Sequence, residues 1–138
     1  MDKWILYSLI SVVSISIMTL LFKHLLNTGL NPEIINFYFF LISTIAFLGF
    51  LFTKSSNFQV PSSSIPVFII LGLLALSYNY FDLLAIKSAP NPGYVEAILT
   101  LKIVIVTFLS FWLFSSELNT TKLIGVGLCV LGGFLLRK

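Results

Sequence analysis

Six polar side chains stand inside or beside long apolar runs of this sequence: Asn79, Tyr80, Asp82, Glu96, Thr100 and Lys102. A carboxylate at such a position can carry a proton, an ammonium can hold an anionic group, and amides and hydroxyls can bind neutral solutes. Lys102 is the sharpest case. It falls near the middle of the apolar run 92–114, which opens on Asn91-Pro92, a helix cap followed by a proline at the first helical position. That run spans roughly 34 Å as a helix, against about 30 Å of hydrocarbon. A charge at mid-membrane costs roughly 2.5–3.5 kcal/mol. The apolar neighbours outweigh this, so the run still inserts, but the ammonium needs a partner.

Depth arithmetic names one. A tight turn at 87–91 joins the third and fourth runs, which puts Asp82 about 6–8 Å and Glu96 about 6 Å inside that face. Lys102 sits about 15 Å in by its backbone, and helical side chains lean toward the N-terminus. Its ammonium therefore reaches the level of Asp82. The expectation is an Asp82–Lys102 ion pair, with Glu96 as the freer carboxylate at a cavity mouth. The plain alternatives are a static brace for the pair and a favourable first-turn acid for Glu96.

The elements that position these groups follow from composition. The chain is 58% hydrophobic and 9% charged, with a mean hydropathy of +1.05; soluble domains carry about 25% charged residues. This predicts an all-α, polytopic membrane helix bundle with about five transmembrane helices, at 4–22, 34–52, 66–86, 92–114 and 120–137, forming a single domain over 1–138. The first run lacks a small-residue cleavage site and reads as a retained span. A net charge of +3, spread over scattered Lys and Arg, excludes a nucleic-acid interface. One cysteine, Cys129, allows no internal disulfide, and one histidine, His24, builds no metal site. No metal or cofactor is expected, and an intramembrane enzyme is disfavoured because no Ser–Lys or His–carboxylate spacing supports one.

Each span carries a polar stripe. Ser16, Thr19 and Lys23 share a face in the first, Asn36 and Ser43 align in the second, and Asn79 and Asp82 lie one turn apart in the third. Glu96, Thr100, Thr107 and Ser110 align in the fourth. Such stripes face a bundle interior or a watery cavity; for the hydroxyls alone, bonding back to their own helix is the simpler reading. Tyr78, Tyr80 and Tyr94 suit the interface, and the last two also suit a site. Gly125, Cys129, Gly132 and Gly133 form a small-residue stripe for helix packing, within the bundle or between copies. Five crossings divide the basic residues almost evenly: Lys3, Lys54 and Lys122 on one face, Lys23, Lys87, Arg137 and Lys138 on the other. Three against four gives no orientation by the positive-inside rule.

The run Asn79-Tyr80-Phe81-Asp82-Leu83-Leu84-Ala85, then Ser88-Ala89-Pro90, the fourth span ending Ser116-Glu117-Leu118, and Gly125-Val126-Gly127-Leu128 through Gly132-Gly133 together resemble the EamA domain of the drug/metabolite transporter superfamily. Members typically have ten spans in two halves of opposite orientation; this chain matches one half. The resemblance implies a secondary transporter for a small metabolite or drug-like solute, acting as a homodimer (antiparallel if the chain inserts both ways) or as a heteromer with a similar subunit, in the plasma or inner membrane. The substrate and proton candidates are then Glu96, Lys102, Asp82, Asn79, Tyr80 and Thr100, and Glu117 is assigned a structural cap. The competing reading is a non-transporting membrane subunit or assembly factor.

Overall fold

Asn-Pro pairs start two of the helices, and glycine in the left-handed region ends another. Asn91 is extended (φ −135°, ψ 125°) and its Oδ1 accepts from the Gly93 amide at 2.8 Å, with Pro92 opening the helix. Asn31 and Pro32 share this backbone pattern without the side-chain bond. Asn119 caps the last helix, accepting from the Thr121 amide at 3.0 Å. Gly29 (φ +89°) follows the end of the first helix, where the Thr28 and Gly29 amides return to carbonyls of the last turn.

The computed structural model describes residues 2–54, 59–115 and 119–135. It contains α1 (Lys3–Asn27), α2 (Pro32–Thr53), a 3₁₀ turn (Ser62–Ser64), α3 (Ile65–Ser88), α4 (Pro92–Leu99), α5 (Lys102–Phe114) and α6 (Thr120–Leu135). No strand occurs among the described residues. Among the described residues, four stretches are long and apolar enough to cross a membrane: Lys3–Asn27, Pro32–Thr53, Ser62–Ser88 and Pro92–Phe114. A shorter apolar helix, Leu123–Gly133, follows. This is the all-α polytopic bundle that composition implies. At about 1.5 Å per residue α6 covers about 24 Å, less than a hydrocarbon core of about 30 Å. The Lys122 side chain and Arg137, expected to extend it, lie outside the described residues, as do Lys138 and Glu117.

The chain divides into two units, Met1–Ser88 and Ala89–Lys138. In the first, α1, α2 and α3 all pack on one another. Their buried positions gather at one end: Thr19, Phe22 and Leu26 late in α1, Pro32, Ile35 and Asn36 at the start of α2, and Asp82, Leu83 and Ile86 late in α3. Phe22 meets Phe39 edge-on at 5.5 Å. Away from that end, large apolar side chains from Leu6 through Leu74 are exposed. In water this would be untenable. In lipid it is the expected surface, because tails are as apolar as Leu and helices associate through close packing and polar contacts.

α1 runs on through Lys23 and His24 to Asn27. Lys23 Nζ donates to the Ile86 carbonyl of α3 at 2.8 Å. The bond satisfies a carbonyl in the last turn of α3, where cations are also favoured by the helix dipole. In the second unit, α6 packs on α4 and α5. A Cβ on Gly133 would lie 2.8 Å from the Ala97 carbonyl oxygen and 3.5 Å from Thr100 Oγ1, so only glycine permits this approach.

Candidate functional site

Within the apolar run 92–114 the helix is broken. α4 ends at Leu99, Thr100 (φ −61°, ψ −20°) and Leu101 (φ −58°, ψ −22°) tighten, and α5 starts at Lys102. Three bonds span three residues instead of four: Leu101 N to Ile98 O, Ile103 N to Thr100 O, and Val104 N to Leu101 O, at 2.9–3.1 Å. This is a short piece of 3₁₀ geometry inside an otherwise α-helical span. A local cause is visible. Thr100 Oγ1 donates to Ala97 O at 2.6 Å, occupying the carbonyl that a regular helix would offer to the Leu101 amide. The backbone of Gly133 crowds the same oxygen.

The break lies about 12–15 Å along the run from Pro92, close to half the hydrocarbon thickness. Glu96 and Thr100 are half-buried one turn apart on its N-terminal side, and Lys102, directly after it, is exposed. Short 3₁₀ pieces in mid-helix often mark functional hinges, and many transporters hold substrate near the midplane at irregular helices.

The other candidates belong to the first unit. Asp82 is buried at 8% exposure, in the cluster at the end of α3. Asn79 is half-buried and donates from Nδ2 to Ala75 O at 2.9 Å. Tyr80 donates its hydroxyl hydrogen to Glu33 Oε1 at 3.2 Å, linking α3 to the first turn of α2. The structure thus gathers Glu96, Thr100 and Lys102 around the break, and Asn79, Tyr80 and Asp82 on the last turns of α3. An Asp82–Lys102 pair would draw on both units. Among the hydroxyls, Ser8, Ser11, Ser14, Ser16, Thr19 and Ser88 bond back to carbonyls four residues earlier in their own helices. These residues are helix-internal, as the simpler reading of a hydroxyl stripe has it.

Three residues with a local role lie outside the six site candidates, although Lys23 and Asn36 belong to the polar stripes of the first two spans. Lys23 serves the end of α3. Glu33 holds Tyr80. Asn36 is buried at 7% exposure, and its Oδ1 has no hydrogen-bond partner among the described residues. Glu33, Asn36 and Phe40 recur at helical spacing on one face of α2 and line a cleft of about 650 Å³ against α3. The sequence signal was this spacing, which mixes one acid, one amide and aromatics.

The helices define an integral membrane bundle whose polar groups concentrate at one end of three helices and at a break in a fourth span. The chain belongs to the EamA-like transporter family, whose model matches residues 2–137. It is a drug/metabolite transporter-type membrane protein. No curated protein and no solved structure gives a significant match.

Proposed function

We propose that this chain is a half-size secondary transporter that moves a small metabolite or drug-like solute, working as a homodimer or with a similar subunit. The observation that carries the reading is the interrupted α4–α5 span, in a member of a transporter family. Glu96, Thr100 and Lys102 surround the break and would supply a carboxylate, a hydroxyl and an ammonium for recognition; Asn79, Tyr80 and Asp82 are the further candidates, within the first unit. Lys102 is exposed on the single chain. An ammonium exposed to tails is costly, and a second copy or a similar subunit would shelter it. A carboxylate, Glu96 foremost, would carry the coupling proton. The α6 stripe of Gly125, Cys129 and Gly132 offers a packing face for the second copy, since a Cβ at Gly125 or Gly132 would meet nothing within 4 Å. The nearly even division of basic residues allows the two copies to insert in opposite senses, which would recreate an inverted pair in the plasma or inner membrane.

The test is solute-evoked proton movement in proteoliposomes with an entrapped pH dye, across a panel of amino acids, nucleosides and organic amines. Flux that disappears in Glu96→Gln and Lys102→Met, with each variant recovered in wild-type amounts, supports the reading. No flux with any solute, or variants that do not accumulate, favours the non-transporting subunit. C-terminal reporters for each compartment test the orientation: signal from one side alone excludes dual insertion.

A further inference from the structure

The cleft between α2 and α3 lies within the first unit and has a chemistry of its own. One end holds the Glu33 carboxylate, the Tyr80 hydroxyl that donates to it, and Asn36. Asn36 Oδ1 is a buried acceptor with no donor among the described residues. Buried amide oxygens rarely stay unsatisfied, and leaving one so is costly. Oδ1 is closed off from the cleft, so the end of the cleft presents one negative charge, that of Glu33, with the Tyr80 hydroxyl beside it. Beyond them the walls are apolar: Phe40 and Leu76 face the cleft, and Gly72 leaves it open, because a Cβ there would meet nothing within 4 Å. From Tyr80 to Gly72 the cleft runs about 12 Å along α3. Its volume of about 650 Å³ falls within the range of about 300–1,000 Å³ usual for small-ligand sites.

We infer that this cleft binds amphiphilic primary amines in their ammonium form. The N–H groups of the ammonium donate to the Glu33 carboxylate, and the apolar body lies along Phe40, Leu76 and Gly72. A quaternary ammonium has the charge and no N–H, so it makes no hydrogen bond to Glu33. A zwitterionic phospholipid brings a phosphate toward Glu33, and no Lys or Arg lines the cleft among the described residues to receive it. The site thus selects a lone ammonium on an apolar body. This inference rests on the cleft and not on the transport reading, and equilibrium binding tests it without any flux.

The probe is 4-phenylbutylammonium, added to the full chain in phosphatidylcholine nanodiscs and measured by equilibrium dialysis against empty discs. Saturable binding is expected, about tenfold tighter than that of the N,N,N-trimethyl analogue, one charged hydrogen bond's worth. No saturable binding of 4-phenylbutyrate is expected. Gly72→Leu fills the cleft and Glu33→Gln removes its charge, and each should weaken binding at least about tenfold. Ala75→Leu, at another position in the wall, gives the same loss if Gly72→Leu does not fold. Wild-type affinity in both cleft-filling variants overturns the proposal, as does equal binding of the carboxylate or of the quaternary amine. Uptake no greater than in empty discs overturns it too. Binding without proton flux would leave the cleft standing and remove the transport reading; flux without binding would do the reverse.

Discussion

Lys23 Nζ donates to the Ile86 carbonyl oxygen at 2.8 Å, so a charge late in α1 closes the end of α3. Asp82 lies one helical turn before that carbonyl, in the same buried cluster. The arrangement gives the three-helix unit a polar fastening at the end where its packing is tightest. In lipid, where apolar burial contributes little to helix association, such a fastening matters more than its single hydrogen bond would suggest.

Lys23→Met keeps the stem and loses the donor. It should lower stability by about 1.5–3 kcal/mol, the usual worth of a hydrogen bond to a charged group. Lys23→Arg, which keeps the donor, should restore part of that. Thermal unfolding of the purified chain in detergent reads both. Equal melting of Lys23→Met and the wild type would show that the fastening carries no stability.

Two adjacent glycines of α6 should behave oppositely. Gly133→Ala drives a methyl to 2.8 Å from Ala97 O, a backbone atom that cannot turn aside, whereas Gly132→Ala enters open space. The first should cost about 1–3 kcal/mol as overpacking. The second should be neutral or stabilising by up to about 1 kcal/mol, because alanine is the better helix former. A pair of melting curves decides it.

The break at Thr100–Leu101 should depend on the Thr100 hydroxyl. Thr100→Val frees Ala97 O to accept from the Leu101 amide, so amides 101–104 should exchange more slowly with deuterium. If the break serves transport, any solute flux should fall although the fold is kept. Unchanged exchange at those amides would assign the break to Gly133 and its crowding instead.

Gly29 is held at φ +89°, a region that side chains enter at a cost. Gly29→Ala should destabilise by about 1 kcal/mol. Gly49→Ala, in mid-helix with open space around it, should gain about 0.5–1 kcal/mol. The difference between the two separates backbone strain from helix propensity.

Cys129 is the one cysteine of the chain and is exposed on α6. If two copies pair across the small-residue stripe, mild oxidation of membranes should trap a disulfide-linked dimer on non-reducing gels. Gly125→Phe and Gly132→Phe should abolish it. A monomer under all oxidation conditions would move the proposed contact to another face.

What the sequence determined by itself was class and punctuation. A charged fraction of 9% and membrane-length apolar runs leave no water-soluble solution, and Asn91-Pro92 and Asn119 fix helix starts through bonds local to the chain. Packing partners were beyond it, because a hydropathy pattern without polar/apolar alternation does not tell one lipid-facing side of a helix from another. So the bond of Lys23 to a carbonyl of α3, and that of Tyr80 to Glu33, became visible only in the fold. The run 92–114 read as one continuous helix because its residues permit one. The Thr100 hydroxyl takes the Ala97 carbonyl oxygen within the run itself, and the close approach of Gly133 to that oxygen appears only once α6 lies against α4.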